Sequence, residues 1–318
     1  MRILIIKLNA TGDVVRTTPL LHRLDGDITW LTHRNNVPLL TGLTRPVDCM
    51  AWEQRDSIGA VPFDLVISLE DEPEVAAFVR GLRCRRVFGA YLDGDDRLRY
   101  SEDAHDWFDL SLISAHGRDK ADALKFRNRQ SYQDLLFRGL GLEFRGERYL
   151  LPDPVATDLV GDVAIAPVAG AVWPMKNWAH YDRLRSRLQG AGLRVNVLPH
   201  RPSLLEHLGD IRNHRCLVSG DSLPMHLALG LGIRCVTLFS CTSPWEIFDY
   251  GLQTKLISPL LGEFFYKRGF DPRAVEAIGV DEVLNAVMAH RPGGVPAPAS
   301  CGPAAGEGEP VACVGRAR

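Results

Sequence analysis

Lys7, Asp13 and Arg16 fall in one short stretch, Lys7-Leu-Asn-Ala-Thr-Gly12-Asp13-Val-Val-Arg16-Thr-Thr-Pro19. A carboxylate in such a stretch can take a proton. The run before them, residues 3–6 (Ile-Leu-Ile-Ile), is apolar and reads as a buried strand of a parallel sheet. Residues 9–12 are small and flexible, and Asp13 then stands where a helix would start. A strand, a Gly-containing turn and a helix N-terminus make a ready site for an anionic or polar ligand. A carboxylate there repels phosphate, so the turn is built for something else. Asp13 reads as a general base.

Two further constellations lie in the second half. In Ser219-Gly220-Asp221-Ser222-Leu-Pro-Met-His226 a strand ends, Gly220 permits a sharp turn, and Asp221 and Ser222 occupy the start of a helix. The free N–H groups of that helix would point to the carboxyl edge of the sheet, where open α/β folds take ligands. Plain N-capping by Asp221 or Ser222 is the competing reading, and His226 reads equally as a satisfied core histidine. Residues 167–178 place Lys176 between Trp173 and Trp178. It is either a snorkelling surface lysine or a diphosphate clamp at the carboxyl end of that half's first strand.

These residues need elements to position them. Strand-like runs at 3–6, 27–32, 47–52, 63–69 and 86–90 alternate with helical stretches at 14–24, 35–43 and 74–82. An amphipathic helix follows at 128–140, closed by Gly141, and residues 143–155, with two prolines, read as an interdomain connection. A second series has strands at 162–167, 194–199, 216–219 and 234–239 and helices at 181–190, 204–208 and 225–231. A final helix at 280–290 is free to pack back on the first domain. The alternation implies βαβ units and parallel sheets. The chain is thus expected to be α/β, with two Rossmann-like domains at 1–150 and 151–290. Residues 291–318, rich in Pro, Gly and Ala, cannot bury enough surface to offset ordering and are expected to be disordered. The acidic turns at 70–74 and 93–96 read as solvated loops, with a cationic acceptor such as an aminosugar as the alternative contact.

At 318 residues there is room for two domains of about 150 residues each. A formal charge of −2 makes no case for nucleic acid. Only six of the 37 basic residues are lysines, which sharpens interest in Lys7 and Lys176. The seven cysteines are scattered without C-x-x-C spacing, so neither a metal-ligand pattern nor a secreted disulfide framework is present. Residues 1–6 are too short for the apolar region of a signal peptide. No stretch approaches the roughly 20 apolar residues that span a bilayer. A cytoplasmic protein is expected, with peripheral contact to a membrane surface allowed. No strand is followed by G-x-G-x-x-G, which argues against a nicotinamide oxidoreductase.

Taken together, the motifs resemble a known family. Residues 7–21 closely resemble the N-terminal signature of glycosyltransferase family 9, the ADP-heptose:lipopolysaccharide heptosyltransferases. Residues 63–69 (Phe-Asp-Leu-Val-Ile-Ser-Leu), 176–178 (Lys-Asn-Trp), 220–228 (Gly-Asp-Ser-Leu-Pro-Met-His-Leu-Ala) and 236–244 (Val-Thr-Leu-Phe-Ser-Cys-Thr-Ser-Pro) match in order. The resemblance implies a GT-B fold whose two parallel sheets face a central cleft. The acceptor would sit on the first domain and the nucleotide sugar mainly on the second. It further implies direct displacement with inversion at the anomeric carbon, no cofactor, no catalytic metal, and Asp13 as the catalytic base. Lys176 and Ser222 would then meet the donor diphosphate. Gly220, Asp221, His226 and Thr242 would contact the donor sugar or nucleotide, and Lys7, Thr11, Gly12 and Arg16 would support Asp13 or meet the acceptor. The expected donor is ADP-heptose, with another nucleotide sugar as the alternative. The acceptor would be a hydroxyl of a glycan, a lipid-linked species or a natural product, and the protein a monomer. Three places depart from the pattern: Leu223 replaces a glycine, Ala171 and Val172 replace a hydroxyl pair, and His200 and Arg201 replace a ribose-binding glutamate. A non-catalytic nucleotide-sugar-binding protein is the competing reading.

Overall fold

The computed structural model describes residues 1–59, 61–108 and 116–290, so the expectation of a disordered tail at 291–318 lies outside the described residues. Strands β1 (Arg2–Ile6), β2 (Asp27–Thr32), β3 (Asp48–Ala51), β4 (Leu65–Ser68), β5 (Val87–Leu92) and β6 (Leu98–Tyr100) form one sheet in the order β3-β2-β1-β4-β5-β6. The first five are parallel, and β6 pairs antiparallel with β5. A second, all-parallel sheet holds β7 (Val163–Ala166), β8 (Val195–Val197), β9 (Cys216–Gly220), β10 (Arg234–Phe239) and β11 (Gln253–Ile257) in the order β11-β10-β9-β7-β8. The protein is therefore α/β with two parallel-rich sheets. Ile3, Leu4, Ile5 and Ile6 have no exposed surface, as a parallel strand covered on both faces requires.

The two sheets differ in topology. The first runs 3-2-1-4-5 in its parallel part. The second runs 2-1-3-4-5 when its strands are counted from β7, the other common doubly wound order. Chain order reverses between β1 and β4 in one sheet and between β7 and β9 in the other. Crevices at the carboxyl ends of strands flanking such reversals are where open α/β sheets bind ligands.

The principal helices are α1 (Thr11–Thr17), α2 (Pro73–Gly81), α3 (Arg118–Arg127), α4 (Tyr132–Gly139), α5 (Tyr181–Gly190), α6 (Leu204–Arg212), α7 (Leu223–Gly230) and α8 (Val280–Ala289). Three expectations are corrected. The first helix starts before Asp13 and gives way after Thr17 to a tight turn over Thr18–His22, because Pro19 has no N–H to continue the ladder. The helix expected at 128–140 begins only at Tyr132. Ser131 opens α4 with a reciprocal cap, its hydroxyl accepting from the Asp134 N–H at 3.1 Å while Asp134 accepts the Ser131 N–H at 2.9 Å. The final helix does not return to the first half: Val283, Ala286 and Val287 join Val163, Ile165 and Leu184 in one cluster under the second sheet.

The two halves touch where it matters. Val15 of α1 and Leu39 pack into the same cluster as Met225, Leu227 and Phe239 of the second half. Tyr149 joins them from residues 142–162, which contain no helix or strand. Cys49, Cys84, Cys216, Cys235 and Cys241 are free thiols. No helix among the described residues is long and apolar enough to cross a membrane.

Candidate active site

At the β1/β4 reversal, parallel pairing sets Ile6 beside Ser68, so Lys7 and Glu70 emerge at the same edge. The Lys7 ammonium donates to Glu70 Oε1 at 2.9 Å. That one oxygen also accepts the N–H of Leu8 at 2.6 Å and of Asn9 at 2.9 Å. Glu70 and its neighbour Asp71 are buried, which corrects the reading of this acidic turn as a solvated loop. Burial pushes the Glu70 carboxyl up and Lys7 pulls it back, while for Lys7 burial is outweighed by Glu70 and then Asp13, so the ammonium stays charged. Thr11 is taken up by the turn itself. It donates to Asn36 Oδ1 at 2.7 Å, and Asn36 in turn donates to the Leu8 carbonyl at 2.7 Å.

Asp13 is the third residue of α1 and is 34% exposed, within reach of a ligand. Its Oδ1 lies 3.0 Å from Arg16 Nε and its Oδ2 lies 3.9 Å from Lys7 Nζ. Burial would raise its pKa, but Arg16, then Lys7 and His226, outweigh it and hold the carboxyl below the usual aspartate range. Arg16 is itself fixed, its guanidinium 3.9 Å from the centre of the Tyr132 ring. Asp13 is thus ionised, partly open, and flanked by two cations that stabilise the charge.

At the β7/β9 reversal the second constellation also converges. Lys176 Nζ donates to Asp221 Oδ2 at 3.0 Å and to the Asp221 carbonyl at 2.8 Å, and Thr242 Oγ1 donates to the same carboxylate at 2.7 Å. Burial opposes ionisation of Asp221, but Lys176, His226 and Thr242 together hold it well below the usual range. Gly220 lets the turn that carries Lys176 approach the end of β9, since a Cβ there would sit 2.7 Å from the Lys176 carbonyl oxygen. Neither candidate caps α7 with its side chain. Ser222 occupies the cap position, but its hydroxyl donates to the Gly220 carbonyl at 3.3 Å, and Asp221 is spent on Lys176 and Thr242. Leu223 is the first residue of α7. Arg201, standing where a glutamate is expected, forms a bidentate pair with the fully buried Asp210 at 2.7 and 2.8 Å.

His226 joins the two edges. Its ring packs so closely on the first turn of α1 that a Cβ at Gly12 would lie 2.8 Å from His226 Cδ2. The histidine is buried and faces the Asp13 turn. Burial and then Arg16 lower its pKa to about 4. Because the folded value lies below the unfolded one near 6.5, the neutral ring contributes stability that is full at higher pH and lost as pH falls between the two. The stability difference between wild type and His226→Gln, read from urea denaturation, should fall by about 2 kcal/mol between about pH 8 and about pH 5. An unchanged difference would show that the ring is not buried in neutral form.

Sequence reading passed over four residues that close the cleft. Lys125 of α3 reaches across to lie 3.8 Å from Glu246 Oε1 and 4.3 Å from the centre of the Tyr266 ring. Tyr132 N–H donates to the Glu246 carbonyl at 3.0 Å. A concavity of about 580 Å³ elsewhere, lined by Arg194, Arg212 and Arg215, lies at the amino ends of β7, β8 and β9 and so faces away from this chemistry.

No protein-family model matches the sequence, and no curated protein matches it by sequence. Solved structures do match the fold. Heptosyltransferase WaaC of E. coli with ADP superposes with a TM-score of 0.62 at 16% identity, over 92% of this chain and 100% of that one. A glycosyltransferase family 9 protein from Veillonella parvula gives 0.62 at 14% identity, over 91% and 96%. The E. coli ADP-heptose lipopolysaccharide heptosyltransferase II gives 0.57 at 16% identity, over 91% and 98%. The chain has the fold of glycosyltransferase family 9. In this family 9 fold the Asp13 edge belongs to the first sheet and the Lys176–Asp221 edge to the second. The Gly12–His226 contact holds them face to face.

Proposed function

We propose that the protein is a metal-independent, inverting glycosyltransferase that moves a sugar, a heptose from ADP-heptose, onto an acceptor hydroxyl of a glycan or natural product. One observation carries the reading: an ionised, partly open carboxylate on the first sheet's edge faces an Asp221–Lys176–Thr242 site on the second. Asp13 takes the proton of the acceptor hydroxyl as its oxygen attacks the anomeric carbon. The bond from that carbon to the diphosphate oxygen breaks on the opposite face, and the nucleoside diphosphate leaves with the bonding pair. Two of the three N–H donors of Lys176 are engaged by Asp221, and the third is left for the departing phosphate. The donor assignment draws support from two solved neighbours, WaaC with ADP and WaaC with ADP-2-deoxy-2-fluoro heptose.

A thermal-shift screen against ADP-, GDP-, UDP- and dTDP-sugars tests the donor. ADP-heptose at about 100 times its Kd should stabilise the fold by about 2.7 kcal/mol, a rise of several degrees in Tm. A selective shift with a different nucleotide overturns the donor, and the absence of any shift overturns the function.

A further inference from the structure

Four cations of the cleft pair with a carboxylate. Lys7 is paired with Glu70 at 2.9 Å, Arg16 with Asp13 at 3.0 Å, Lys176 with Asp221 at 3.0 Å and Lys125 with Glu246 at 3.8 Å. A dianionic diphosphate entering the cleft competes with these carboxylates for their cations, most readily where a pair is weakest. The pairs are not equally firm. Lys7 and Lys176 are hydrogen-bonded to their acids, and Arg16 is clamped on the Tyr132 ring and sits one helical turn from Asp13.

The Lys125–Glu246 pair is the loose one. It is the longest of the four, and Glu246 Oε1 is buried without a hydrogen-bond partner. Its two members also come from opposite halves, Lys125 from α3 and Glu246 from the loop after β10. The ammonium lies over the Tyr266 ring, and that ring packs edge-on against Trp173, at 5.4 Å, in the loop that carries Lys176. Two rings in edge contact, Tyr266 and Trp173, therefore link Lys125 to the loop that carries Lys176.

We infer that Lys125 is a diphosphate ligand which the first half supplies to the donor, and that Glu246 holds its ammonium until the donor arrives. The inference rests on the nucleotide-sugar reading above and adds a binding residue to it. On donor entry Lys125 exchanges Glu246 for a phosphate oxygen, so the donor itself ties the two halves together. Glu246 competes with the phosphate for the same ammonium, and the two members of one ion pair then have opposite effects on binding.

Calorimetric titration of the full chain with ADP, and with adenosine as the control lacking phosphate, tests this. Lys125→Met should weaken ADP about tenfold and leave adenosine unchanged, the loss expected for one charge-assisted contact. Glu246→Gln should tighten ADP several-fold, because it removes the competitor. ADP binding unchanged in Lys125→Met, adenosine weakened as much as ADP, or ADP weakened by Glu246→Gln would each overturn the inference while leaving the nucleotide-sugar reading in place. A wild-type chain that binds none of ADP, GDP, UDP and dTDP overturns both.

Discussion

Replacing Asp13 with Asn should lower sugar transfer by about a thousandfold, the mid-range of what a positioned general base contributes. The amide keeps the size and shape of the carboxylate but cannot take the acceptor proton. Donor binding should change little, because the proposed donor groups Lys176 and Asp221 lie on the other sheet. The rate profile carries a second signature. Asp13 is a competent base only when ionised, and Arg16 and Lys7 hold its pKa below the usual aspartate range despite burial. The wild-type rate should therefore stay level with falling pH until that lowered value is crossed. Arg16→Met removes the nearer cation and should move the acid limb to higher pH. Transfer rates measured against pH decide it: an Asp13→Asn variant with wild-type turnover assigns the proton to another group.

Glu70→Ala is expected to cost about 3–5 kcal/mol of stability, read from urea denaturation near neutral pH. The pair with Lys7 need not be strongly stabilising overall, since both charges are desolvated. Removing one member is another matter. It leaves the Lys7 ammonium, 5% exposed, with only Asp13 at 3.9 Å, and leaves the Leu8 and Asn9 N–H groups without an acceptor. Glu70→Gln keeps a carbonyl oxygen for those two N–H groups and removes only the charge, so it should cost clearly less than Glu70→Ala. Equal losses in both variants would mean that the charge on Glu70, and not its backbone contacts, holds the turn.

Much of this architecture is legible in the linear sequence, for a local reason. Alternation of apolar strands with amphipathic helices depends on residues a few positions apart, so β1, β10 and α5 stand where the periodicity puts them. The strand-turn-helix pattern likewise picked out Asp13 and Asp221, and the rarity of lysine drew attention to Lys7 and Lys176. Where local signals compete, reading fails by a few residues. Pro19 shortens α1, and the Ser131–Asp134 cap starts α4 four residues later than the pattern places it.

The linear sequence already contains the inventory: an α/β chain of two series, a carboxylate presented after the first strand, and a lysine and an aspartate in the second series able to meet. Which groups neutralise which was decided only in three dimensions. Glu70 lies 63 positions from Lys7 and reads as one acid among several in a polar turn, yet β4 pairs directly with β1 and delivers it to the ammonium. Lys125 and Glu246 stand on different halves and meet only because α1 and α7 pack against each other. The physical reason is common to both cases. A parallel sheet brings together strands remote in sequence, and its switch points gather the ends of different strands, so the charge balance of the cleft is a property of strand order and not of spacing along the chain.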